Sequence, residues 1–284
     1  MVIGVPAPGP VDSPGGPQTF KPLPGVLRDV RWYASLLEEE LEAPASAGVN
    51  TYLAPDETSA AYLETEIPRM LRLVEPGGLF VLVVIGHGTQ VPDLDGDEPS
   101  GNDQAFVTSN GALTDDFFRD LWVTRPDVNI LTIADVCHAD TMLLYAQFPD
   151  EPRRLRLVLD GPDIVPTRAL RGIIGDDLAG RVRPVLLRTG AAAPLQIDIE
   201  TSAPAPARLM LAASQQDESA WEDAGGGRFT SALREAWDRP ESRMSYEAWF
   251  DSARARTIGQ RPTLRYRGPE RLLRARPFSV PPSK

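Results

Sequence analysis

Apolar residues along the chain fall into distinct patterns, and each pattern predicts an element. Two long runs, Leu79 to Ile85 and Val128 to Val136, are apolar almost throughout. Continuous apolar character, as opposed to alternation, suits strands covered on both faces. Elsewhere the spacing is helical: Val26, Val30, Tyr33, Leu37 and Leu41 recur every third or fourth residue and predict a helix over that span. A second helix is expected from Asp56 to Val74, with Thr58 as its N-cap and Pro76-Gly77-Gly78 as its stop. A third runs from Thr114 to Trp122. Between the two apolar runs, residues 91–103 read as an acidic, Gly-containing loop. Strand, helix, strand in this order is the βαβ pattern of a parallel sheet.

The remaining segments are shorter. Residues 1–5 and Val49 to Leu53 read as strands, and the Pro- and Gly-crowded residues 6–25 as a loop. Later come a strand at Leu209 to Ala213, helices at Phe229 to Trp237 and Tyr246 to Ile258, and a strand at Thr263 to Tyr266. Residues 150–206 carry eight arginines, among them Arg153, Arg154, Arg168 and Arg181, set among Pro and Gly, and read as a long irregular connection. The organisation expected is one domain over 1–284: a larger part (1–149), that connection, and a smaller part (207–284).

Composition narrows the function. A formal net charge of −11 over 284 residues argues against a nucleic-acid surface, which needs clustered Lys and Arg. It favours basic peptides or cations instead. The single cysteine excludes an intrachain disulfide and suits a reducing cytoplasm. The N-terminus lacks the basic start and long apolar run of a signal peptide. No apolar run approaches the roughly 20 residues that span a bilayer. A soluble cytoplasmic protein with no membrane or nucleic-acid partner is expected.

Candidate chemistry gathers at the ends of the two apolar runs. Leu79–Ile85 leads at once into Gly86-His87-Gly88, and Val128–Val136 into Cys137-His138. Ligands and catalytic groups in open parallel sheets collect at the carboxyl ends of strands. The only cysteine and one of the two histidines therefore converge on one edge. His138 adjoins Cys137, so its side chain points to the opposite face, which makes it the poorer partner. From spacing alone the bland readings stay open: Cys137 as a small buried hydrophobe, His87 as a turn residue.

A longer set of residues resembles the metacaspase branch of the caspase-like cysteine peptidases. The set comprises Gly86-His87-Gly88-Thr89-Gln90, Asp93-Leu94-Asp95-Gly96-Asp97-Glu98 and Asp135-Val136-Cys137-His138. The family carries Ser-Gly-His-Gly, Asp-x-Asp-Gly-Asp-Glu and Asp-Ser-Cys-His-Ser-Gly in that order. Leu211 to Ala220, Gly227 to Leu233 and Gln260-Arg261-Pro262 are similar to its small-subunit region. The resemblance implies an α/β fold, the caspase-like three-layer sandwich, with a central, mainly parallel sheet and helices on both faces.

It also implies a cysteine endopeptidase acting on a protein or peptide substrate, with Cys137 as nucleophile and His87 as acid–base partner. The backbone N–H groups of Gly88 and Cys137 would form the oxyanion hole. Asp29 and Asp135 would line a pocket for Arg or Lys, although Val26 and Ile85 stand where the family has Cys and Ser. A basic preference would make the Arg-rich connection a site of self-cleavage. The chemistry needs no cofactor, but calcium-dependent members use carboxylates matching Asp103, Asp115 and Asp116. The fourth ligand position holds Leu144, with Asp140 nearby, and Asp93 to Gln104 lacks the Gly and Glu of an EF-hand. A monomer is implied. Two other readings are a catalytically silent caspase-like regulatory module, and a phosphatase using Asp93-Leu94-Asp95-Gly96. The second suffers because the first Asp does not follow its strand directly.

Overall fold

The computed structural model describes residues 1–12, 16–41, 48–93, 101–137, 206–214, 220–223 and 226–279. His138, Asp140, Leu144, Asp95, Asp97, Glu98 and all but the last residue of the 150–206 connection lie outside them.

The two apolar runs form the centre of a sheet. In chain order the elements begin with β1 (Val2–Gly4), α1 (Val26–Glu40), β2 (Thr51–Tyr52), α2 (Ala60–Arg72) and β3 (Leu79–Ile85). Next are β4 (Gly88–Pro92), β5 (Asn102–Val107), β6 (Ala112–Thr114), α3 (Asp115–Val123) and β7 (Asn129–Asp135). The last described elements are β8 (Arg208–Ala212), β9 (Glu222–Asp223), β10 (Gly226–Gly227), α4 (Arg228–Trp237), α5 (Tyr246–Arg254) and β11 (Thr263–Arg267). Six strands lie in the order β11-β8-β7-β3-β1-β2, and only β11 runs antiparallel to its neighbour.

Alternation along the strands sorts the side chains into two layers. Val81, Val83, Ile85, Leu131 and Ile133 face one side, against α1, α4 and α5. Phe80, Leu82, Val84, Ile130 and Ala134 face the other, against α2 and α3. The result is a three-layer α/β sandwich, as expected from the motifs. Each fully buried Val, Leu or Ile contributes roughly 1.5–3 kcal/mol, so the paired central strands anchor the fold.

Several local expectations need correction. Helix α2 starts at Ala60 with Ser59 at its N-cap position, and no side chain caps it. Thr58 is instead buried, and its hydroxyl donates to the Ala54 carbonyl (2.9 Å). Helix α5 stops at Arg254, four residues early, and Ile258 is exposed. The stretch read as a loop after Gly88 is largely paired: β4, β5 and β6 form a separate antiparallel sheet. Its strands mix Gly, Thr, Gln, Asn and Asp with a few apolar residues, so no period of two stands out in the sequence.

Candidate active site

Strands β3 and β7 pair in parallel with Ile85 opposite Asp135, and Gly86 N–H donates to the Asp135 carbonyl (3.3 Å). His87 and Cys137 each lie two residues beyond these partners, level with each other and on the same face by alternation. Both sit at the carboxyl rim of the sheet, as the sequence predicts. Gly88 is pressed against the Cys137 backbone: a methyl group there would overlap the Cys137 carbonyl oxygen and stand 3.3 Å from its nitrogen. Only glycine allows the two rims this approach. The two backbone positions expected to form an oxyanion hole are therefore neighbours.

His87 is held from one side. Its Nε2 lies 2.8 Å from the Lys21 carbonyl oxygen, and its ring stacks at 5.1 Å from that of Phe20. A carbonyl only accepts, so Nε2 carries the proton and Nδ1 is left to exchange one. The Cys137 sulfur is half-buried, accepts from Ala220 N–H (3.2 Å) and lies 3.7 Å from the Ala220 carbonyl oxygen. An N–H donor to sulfur favours the thiolate over the thiol. Lys21, Phe20 and Ala220 act through backbone or ring position, which carries no signal in the sequence.

The two aspartates meet beneath this rim. Asp135 continues the face of Leu131 and Ile133, and so points at α1 and α4. Its Oδ2 accepts from Thr230 N–H (3.0 Å) and Thr230 Oγ1–H (2.6 Å). Asp29 falls on the buried stripe of α1 with Val26, Val30 and Tyr33. Its Oδ2 accepts from Gly227 N–H (2.7 Å), while Oδ1 is buried with no hydrogen-bond partner. Burial pushes Asp29 up to about 7, with repulsion from Asp135 and Glu222 adding to it and Gly227 N–H and Arg234 opposing. Burial likewise raises Asp135, against the hydrogen bonds from Thr230. Val26 and Ile85, expected to remove polar atoms from this pocket, instead belong to the apolar layer.

Glu222 was not singled out by sequence reasoning. It stands on β9, and its Oε1 accepts from Gly25 N–H (2.5 Å) just before α1. The short Gly226–Gly227 strand separates it from α4. The glycine cluster was visible in the sequence, but nothing there tied it to a carboxylate.

The acidic residues expected to bind calcium are only partly assembled. Asp103 on β5 and Asp115 at the start of α3 are both buried, and Asp115 Oδ1 accepts from Gln104 N–H (3.0 Å). Burial raises Asp115 to about 7, with Asp103 and Asp116 adding repulsion. Asp116 pairs with Arg119 one turn along α3. Among the described residues no set of three His, Cys, Asp or Glu side chains is arranged to hold a metal ion. The described carboxylates do not by themselves fit a calcium site. No helix among the described residues is long and apolar enough to cross a membrane.

A family profile described as a caspase domain matches residues 16–268. Metacaspase-1B of Aspergillus fumigatus is 34% identical over 80 residues, covering 26% of this chain and 20% of that protein. Metacaspase-1 of Pyricularia oryzae is 33% identical over 132 residues, covering 43% of this chain and 33% of that protein. The chain thus matches a third or less of the length of these relatives. Among solved structures, protein GSU0716 from Geobacter sulfurreducens aligns with a TM-score of 0.60 at 22% identity over 99% of both chains, a likeness of fold.

Proposed function

The chain belongs to the caspase-domain family, and on that premise we propose that it is a cytoplasmic, monomeric cysteine endopeptidase cleaving after Arg or Lys. The observation that carries the reading is the convergence of His87 and Cys137 at one level of one sheet rim, beside a pocket of carboxylates. The Cys137 thiolate attacks the peptide carbonyl carbon, and backbone N–H groups at Gly88 and Cys137 stabilise the oxyanion. The carbon–nitrogen bond breaks as His87 Nδ1 delivers a proton to the leaving amine. Water, deprotonated by the same nitrogen, releases the acid and restores the thiolate. The Lys21 carbonyl keeps the ring in the tautomer that this cycle uses.

Specificity rests on Asp29 and Asp135. Two buried carboxylates with raised proton affinity are poorly stable as anions alone, and a guanidinium or ammonium between them supplies both charge and donors. The direct test is hydrolysis of fluorogenic peptides ending in Arg or Lys, beside peptides ending in Asp or Leu. Cleavage of the last two alone would overturn the basic preference. Hydrolysis of none would favour the silent regulatory module.

The raised Asp29 pKa has a stability consequence with a definite sign. The folded protein holds this proton up to about pH 7, whereas the unfolded chain releases it near the model value of 3.8. Between those values the native state binds more protons, so stability falls as pH rises through the window. Removing the group removes that slope. Relative to Asp29→Asn, the wild type is expected to lose up to about 1.4 kcal/mol per pH unit between pH 5 and 7. Urea unfolding of both proteins across that range checks it, and parallel curves would contradict it.

Calcium enters the proposal only through Asp103 and Asp115, whose mutual repulsion a divalent cation would relieve. Millimolar calcium is expected to raise the thermal midpoint of the wild type and not that of Asp115→Asn. No shift in the wild type removes calcium from the reading.

A further inference from the structure

We infer that Glu222 is a third specificity-determining carboxylate of the pocket formed by Asp29 and Asp135, selecting a cationic side chain before the scissile bond. The inference rests on the peptidase reading and adds a residue that reading does not require.

Three elements far apart in sequence bring the carboxylates together: α1 carries Asp29, the end of β7 carries Asp135, and β9 carries Glu222. The bond from Gly25 N–H draws Glu222 to the start of the helix that bears Asp29. Glycines separate the acids. A methyl group on Gly25 would stand 2.6 Å from both Glu222 Oε1 and Gly226 Cα. One on Gly226, whose φ is +107°, would overlap the Asp29 carboxylate, and one on Gly227 would overlap that of Asp135. The space between the three acids is thus kept clear by residues without side chains.

This cradle has an unmet need. Asp29 is 1% exposed, and its Oδ1, facing Gly226, has no hydrogen-bond partner. A buried carboxylate oxygen without a donor is costly, and it calls for one from outside the chain. Among the described residues no Lys or Arg forms an ion pair with Asp29, Asp135 or Glu222. The nearest cation acting on Asp29, Arg234, spends its guanidinium on Ser231 Oγ (3.5 Å). Glu222 repels both aspartates, raising their proton affinity further. A bound guanidinium, with five N–H donors in a planar fork, meets all three walls.

Glu222→Gln isolates the charge, because the amide oxygen still accepts from Gly25 N–H. Two peptides identical except before the cut, one with arginine and one with its neutral isostere citrulline, should be compared on wild type and variant. The arginine peptide is expected to lose about ten- to fifty-fold in kcat/KM, chiefly through KM, while the citrulline peptide changes less than about twofold. An equal loss on both peptides would mean a structural role, and no loss would mean none; either result overturns the inference. Calorimetric binding of agmatine, a small guanidinium, reads the pocket without turnover. Binding should weaken in Glu222→Gln, and equal affinity in the two proteins also overturns the inference. A wild type that binds agmatine but hydrolyses neither peptide removes the peptidase reading and leaves the pocket standing.

Discussion

Cys137→Ala is expected to lower hydrolysis of an Arg peptide by at least about 10⁴-fold while leaving the fold intact. The size follows from the chemistry: without sulfur no acyl-enzyme forms, and only positioning and oxyanion stabilisation remain. The fold should persist because Cys137 lies beyond the end of β7, and its sulfur contacts the Ala220 backbone at the rim. The thermal midpoint should therefore move by no more than about 2 °C. His87→Ala should show a loss of similar order, since residues acting as a unit are not additive. Intact masses of wild type and Cys137→Ala also test self-processing within the Arg-rich connection: fragments only in the wild type support it, and identical intact masses remove it. Retention of more than one per cent of the activity in Cys137→Ala would sink the nucleophile assignment.

Asp135→Asn is expected to cut kcat/KM on Arg peptides by about 10²–10³-fold and to make the free protein more stable above pH 7. The activity loss reflects removal of one partner from a buried charge pair with the substrate, worth about 3–5 kcal/mol. The gain in stability follows from the raised pKa. Burial makes the ionised Asp135 costly in the absence of substrate, even with both bonds from Thr230. Asparagine keeps an acceptor for those bonds and removes the charge. Opposite movements of activity and stability, read by steady-state kinetics and urea unfolding, mark a residue held for function and not for folding. A variant weakened in both respects would instead mark Asp135 as a structural anchor.

How much of this was readable in advance differs by element. Strands β3 and β7 were legible because strands covered on both faces must be apolar at nearly every position. Helix α1 was legible because its buried stripe recurs at helical spacing. Asp29 falls on that same stripe, between Val26 and Val30 on one side and Tyr33 on the other, so its burial is implied by the pattern. The sheet of β4, β5 and β6 was not legible, because strands such as Gly88–Pro92 and Asn102–Val107 take their stability from pairing with each other. The end of α5 was misplaced for a similar reason. Ile258 continues the apolar spacing, yet Arg256 and Thr257 N–H already turn back to the Ala253 carbonyl.

The sequence by itself determined the layers, the two central strands and the placing of His87 and Cys137 at their carboxyl ends, because these depend on local periodicity and on motifs contiguous in the chain. Only the tertiary structure decided what surrounds them. The Lys21 carbonyl on His87, the Ala220 amide on sulfur and the Glu222 carboxylate beside Asp29 and Asp135 join segments 66, 83 and about 190 residues apart. Contacts of that kind depend on strand register and on glycine-lined approach between backbones, and neither leaves a periodic trace along the chain.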